Sequence, residues 1–129
     1  MQRSLLAPLL ALPLLATPVL AEPPSAGSTH TFLDPVFTGT IFCDTFEEVH
    51  AIATADEPVD VFQVYFTTPN HKNEPTCAAI LATAKVISVR PLGVMTRDNS
   101  RYDAWAIEAD VGGQAGYALY LEARTDILV

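Results

Sequence analysis

Two cysteines, Cys43 and Cys77, are the side chains of this chain best placed to do chemistry. Two cysteines allow one pairing, and an even number in an exported chain points to a disulfide. There is no C-x-x-C, and the only His, Lys or Arg near either cysteine in sequence is Lys72, so a reactive thiol or thiolate metal site has little behind it. Closing a loop of about 35 residues would stabilise the fold by roughly 3–4 kcal/mol in the chain-entropy account.

Three histidines could ligate a metal or move a proton: His30, His50 and His71. They fall in a spacer, on a helix and in a polar loop. His50 follows Glu47 by three positions, an ordinary surface contact on a helix. Zinc needs three or four ligands at set spacings, such as H-E-x-x-H, and none is present. Asp98-Asn99-Ser100 and Asp103 do not follow the order of a calcium loop, and a turn accounts for them better. Ser88 and Ser100 lie outside any G-x-S-x-G, although a triad assembled from distant residues stays open. The paired carboxylates Glu47/Glu48, Asp56/Glu57 and Glu108/Asp110 read as a helix start, a helix end and an outer hairpin face. No phosphate-cradling glycine motif is present. No catalytic residue, metal or cofactor is therefore expected.

The elements that carry these residues begin after a leader. Met1–Arg3 is basic, Leu5–Leu20 is apolar, and Val19-Leu20-Ala21 suits a signal peptidase, so residues 1–21 read as a cleaved signal peptide. Pro8, Pro13 and Pro18 argue against a membrane-spanning helix, and no membrane insertion is expected after cleavage. Residues 22–30, rich in Pro, Ser and Gly, read as a disordered spacer. Residues 31–129 form one domain, exported to the periplasm or secreted. The chain has 15 acidic and 7 basic residues, a net charge of −8. That balance argues against nucleic acid or anionic lipid as partner.

Phe37–Cys43 reads as a strand. Thr45 with Glu48 three positions later is a capping-box pattern, and it opens a helix over about 45–55, with Phe46, Val49, Ile52 and Ala53 on one side. Pro58 ends that helix, and Val59–Thr67 reads as a strand. Thr68–Thr76 is a loop. Ala78–Arg90 is a strand from about Ala82, with a helical turn before it left open, and Pro91–Gly93 marks a kink. Arg97–Arg101 is a turn. Tyr102–Val111 and Ala115–Ala123 alternate around Gly112-Gly113-Gln114, which predicts a β-hairpin. The tail, 125–129, adds an edge strand or frays.

Trp105-Ala-Ile107, Gly113-Gln-Ala-Gly116-Tyr117 and Tyr120-Leu121 make residues 79–123 resemble the second half of a bacterial SH3-like module. The usual N-V-R-S-G-P-like opening is replaced by a Cys-Asp-Thr start and a capped helix. The whole chain is also similar to small exported bacterial proteins with no assigned activity. The resemblance implies recognition of peptide or cell-wall material by aromatic residues. The expected fold is mainly β (α+β): a small, partly open SH3-like barrel of five to six strands with one helix and one disulfide. The expected role is non-catalytic binding of a protein, peptide or envelope glycan, with Tyr102, Asp110, Gln114 and Tyr120 as candidate ligand-binding residues. Trp105 and Tyr117 read as core. For Tyr102 and Tyr120, core and surface both stay open. The alternative is a small secreted enzyme inhibitor or hydrolase, with Thr68–Thr76 as the inhibitory loop. The oligomeric state stays open.

Overall fold

A computed structural model describes residues 22–33 and 39–124. The expected signal peptide, the first residues of the expected Phe37–Cys43 strand and the tail over 125–129 lie outside them. The elements in chain order are β1 (Thr29–Phe32), β2 (Thr40–Cys43), α1 (Phe46–Ala53), α2 (Pro58–Phe66), β3 (Cys77–Ile80), β4 (Ala82–Arg97), β5 (Ser100–Val111) and β6 (Gln114–Ala123). The six strands form one sheet in the order β1-β4-β5-β6-β2-β3, antiparallel throughout. It is a mainly β fold, a curled half-barrel that carries, among the described residues, two short helices and one disulfide.

The long hairpins form where the sequence supplies their turns. Gly112 and Gly113 sit at φ 61° and 89°, the left-handed region that the β5–β6 turn demands. Asp98 and Asn99 do the same at φ 51° and 66° between β4 and β5. Asp and Asn tolerate that region better than other side chains. The kink expected at Pro91–Gly93 is a register shift against Trp105 and Ala104. A second shift lies between Val86 and Ser88. Such bulges bend the strand and increase its twist.

Curvature shows in the contacts across the sheet. Flat strands four steps apart would be separated by roughly 19 Å, at about 4.8 Å per step. Yet Phe32 of β1 meets Phe42 of β2 edge to face, with ring centroids 5.4 Å apart. The face carrying both rings is therefore the concave one. On it Phe32, Ala84, Val86, Ile107, Ala109 and Ala118 form a buried cluster, flanked by Phe42, Trp105, Val111 and Tyr120.

The other face is covered by the helices. Ile41, Cys43, Cys77, Met95, Ala104, Ala106, Leu119 and Leu121 pack there against Val49, Ile52 and Ala53 of α1. Burying a Val or Ile side chain contributes about 1.5–3 kcal/mol, so Val49 and Ile52 are the main anchors of α1. The Thr45 amide donates to Glu48 Oε1 at 3.0 Å, the reciprocal half of the expected capping box. Arg90, on the sheet, lays its guanidinium 3.6 Å over the Phe46 ring at the start of that helix.

Two sequence expectations are corrected, and one left open is decided. Val59–Thr67 is not a strand: Pro58–Phe66 is a helix, with Pro58 in its first turn. Proline is favoured there because its missing N–H has no partner in that turn anyway. Val61, Phe62 and Tyr65 then fall on one helical side and pack against the core. The described residues thus hold two helices where one was expected. The spacer over 22–30 is also shorter than expected. Thr29 and His30 belong to β1, and Gly27 N donates to Val86 O while Val86 N donates to Ser28 O, both at 2.8 Å. Backbone donors and acceptors left free on β4 bind that segment. Cys77–Ile80 is a strand and not a helical turn, because it pairs with β2 residue for residue.

Candidate functional site

The disulfide sets one wall of the candidate site. Cys43 and Cys77 are register partners in the β2–β3 ladder, their Cα atoms 4.0 Å apart, and their sulfurs are bonded. Both are buried beneath α1. Glu48 brings a carboxylate oxygen within 4.8 Å of both sulfurs. The sulfurs are spent on each other, and Glu48 Oε1 accepts the Thr45 amide, so this trio presents no ligand set.

On the concave face small residues leave space. Ala78 and Ile80 of β3, Phe42 of β2, Ala109 and Val111 of β5, and Gly116 of β6 line a depression of about 410 Å³. That volume falls within the usual range for ligand pockets, about 300–1,000 Å³. Alanine and glycine at facing positions create it, since among the described residues no side chain fills the sheet's curl there. Gly116 keeps the floor close to β2: a Cβ added to it would lie 3.2 Å from the Cys43 carbonyl oxygen, a tight contact to which the backbone would have to yield. Asp44, Glu74, Thr76 and Gln114 stand at the edge.

A second open depression, of about 570 Å³, adjoins the first and shares Asp44, Thr76, Gln114 and Ala115 with it. Its other lining residues are Thr45, Glu48, Asn70, His71 and Lys72. Together the two make a groove from the concave face to the start of α1.

Asn70 holds the outer wall. Its Nδ2 donates to Asp44 Oδ2 at 2.9 Å. Its Oδ1 accepts the amides of Lys72 and Glu74 at 2.8 and 3.0 Å. Its own amide donates to the Glu74 carbonyl at 2.7 Å, and Thr76 Oγ1 donates to the Thr68 carbonyl at 2.8 Å. The loop over 68–76 is thus knit to itself and to β2, with His71, Lys72 and Asn73 at its exposed tip. Sequence composition identified a loop but not this bracing, which depends on one asparagine reaching across to Asp44.

The four candidate binding residues are not brought together. Gln114 lies on the groove edge. Asp110 is at the same end, where its Oδ1 accepts the Gly113 amide at 2.8 Å and shapes the turn. Tyr102 is half-buried against the helix-side core near Met95, at the opposite end of the hairpin. Tyr120 is half-buried on the concave face, 5.8 Å from both the Trp105 and His30 rings. Its hydroxyl donates to Glu122 Oε2 at 2.5 Å. Burial first, and then that hydrogen bond and the carboxylate's charge, hold the Tyr120 phenol far above its ordinary value. Trp105 and Tyr117, expected in the core, are half-buried and pack on opposite faces of the sheet.

The histidines stand on three separate elements. His30 packs at 4.6 Å from Phe32, and His50 at 5.8 Å from Phe46. His71 lies near Asp44 and Glu48 around the second depression. Among the described residues no hydrogen bond ties its ring to a hydroxyl or carboxylate. Also among them, no helix is long and apolar enough to cross a membrane.

Compared with known proteins, the chain matches no family model, no curated protein and no solved structure.

Proposed function

We propose that this is an exported, non-catalytic binding domain that holds a peptide or protein segment in the groove between β3 and the β5–β6 turn. The disulfide is compatible with export, and the leader-like N-terminus supports it. One observation carries the binding role. The groove has an apolar floor, a few polar groups at its edge, and walls fixed by a disulfide and by Asn70. Preformed, mostly apolar concavities with sparse polar groups are where proteins take ligands. The resemblance to SH3-like modules points the same way, although the aromatic pair Trp105 and Tyr120 serves here to pack the concave core.

The test is capture from the native envelope fraction with the disulfide-bonded protein and with an Ala78→Phe variant, whose ring fills the groove. A stoichiometric partner retained by the first and lost by the second supports the proposal. A partner held equally by both would place recognition elsewhere and defeat it.

A second reading, a secreted enzyme inhibitor, draws on the braced loop over 68–76 with Lys72 at its exposed tip. Lys72→Ala would abolish inhibition of a Lys-directed secreted protease under that reading and leave groove binding intact.

A further inference from the structure

We infer that the groove selects an extended cationic peptide, one whose lysine or arginine side chains lay their aliphatic stems on the apolar floor and their charged heads at the Asp44–Glu74 edge. The inference rests on the groove-binding proposal above and narrows it to one chemistry. The floor of Phe42, Ala78, Ile80, Ala109 and Val111 offers carbon and no charge. The edge offers two carboxylates. Asp44 gives one oxygen to Asn70 Nδ2 and keeps the other, and neither Asp44 nor Glu74 has an ion pair among the described residues. Among the described residues lining the adjoining depression, Glu48 adds a third carboxylate, and His71 and Lys72 are the basic side chains. A chain of net charge −8 strengthens the field at that edge.

Lysine and arginine match such a surface because their methylene stems bury readily while their heads stay hydrated. An acidic peptide or an anionic envelope polymer would place like charge against Asp44 and Glu74. A neutral sugar would find, among the described lining residues, one aromatic ring, Phe42.

The probes are acetyl-(Val-Lys)3-amide and acetyl-(Val-Glu)3-amide, titrated into the isotopically labelled, disulfide-bonded protein and followed by amide NMR shifts. Expected is binding of the lysine peptide alone, with shifts at Ala78, Ile80, Val111 and Gln114. The double variant D44N/E74Q should weaken it about tenfold, the effect of two edge ion pairs. Ala78→Phe should abolish it while leaving the shifts of β4 in place. Raising salt on the unaltered protein should weaken binding as well, a readout that needs no variant. Equal binding of both peptides would overturn the charge preference and leave the groove proposal standing. Shifts elsewhere, or no binding of either peptide at millimolar concentration, would also overturn this inference. If a partner from the envelope fraction were still lost in Ala78→Phe, the broader reading would outlive it.

Discussion

Phe32, on one edge of the sheet, and Phe42, four strands away in sheet order, touch edge to face at 5.4 Å. That contact joins the two sides of the half-barrel across its hollow. Phe32 is 1% exposed, so its ring is committed to this closure. Phe32→Ala should cost about 3–5 kcal/mol, the usual loss for a buried phenylalanine. Urea unfolding followed by far-ultraviolet circular dichroism would measure it. A loss below about 1 kcal/mol, the size of an ordinary surface change, would mean that β1 does not close the fold.

Replacing both cysteines, C43A/C77A, should lower stability by roughly 3–4 kcal/mol in the chain-entropy account. Alkylation of the unreduced, folded protein should add no mass, and alkylation after reduction should add two adducts. Two adducts without reduction would refute the bridge.

Tyr120 predicts an alkaline limb. Its phenol is raised in the folded protein by burial and by Glu122. The unfolded chain loses that proton near the ordinary value of about 10. The stabilisation is therefore complete below about pH 10 and declines as pH rises beyond it, because the folded state then binds more protons than the unfolded one. Tyr120→Phe should flatten that limb. Glu122→Gln should lower the phenol's titration, followed by ultraviolet absorbance, but leave it above the ordinary value, since burial is the larger cause. The aromatic packing of Tyr120 also means that Tyr120→Ala costs stability as well as any ligand contact.

Asn70→Ala should loosen the loop without unfolding the domain. It removes the acceptor for the Lys72 and Glu74 amides and the tie to Asp44. These are exposed bonds, so the stability cost should be about 1 kcal/mol. The sensitive readout is hydrogen exchange at Lys72 and Glu74, which should speed markedly. Unchanged exchange there would show that the backbone bonds around the Pro69–Pro75 bridge and the Thr76–Thr68 bond hold the loop without the Asn70 side chain.

Local signals were legible where one principle decided the outcome. The Gly112-Gly113 hairpin, the α1 start at Thr45 and the pairing of Cys43 with Cys77 could all be read from residue types. Helix α2 could not. Val59, Val61, Val64 and the aromatics of V-D-V-F-Q-V-Y-F suit a strand, and what makes them helical is packing of Val61, Phe62 and Tyr65 on the core. Pro58 was read as the end of one helix and is also the start of the next. Strand β5 alternates as expected, yet it buries both faces, Ala104 and Ala106 under the helices and Ile107 and Ala109 in the hollow. The groove was hidden for a related reason. It arises because Ala78, Ala109 and Gly116 come together from three strands, and register across strands is not written in any one segment.

Both helices and the braced loop lie between the two bonded cysteines, whose sequence separation is 34. The intervening segment is a closed ring hung from neighbouring strands. Thermal loosening of α1 and α2 therefore cannot pull β2 away from β3. Should that helical layer loosen, the bridge would still keep β2 and β3 in register, and with them the alignment of Phe42, Ala78 and Ile80.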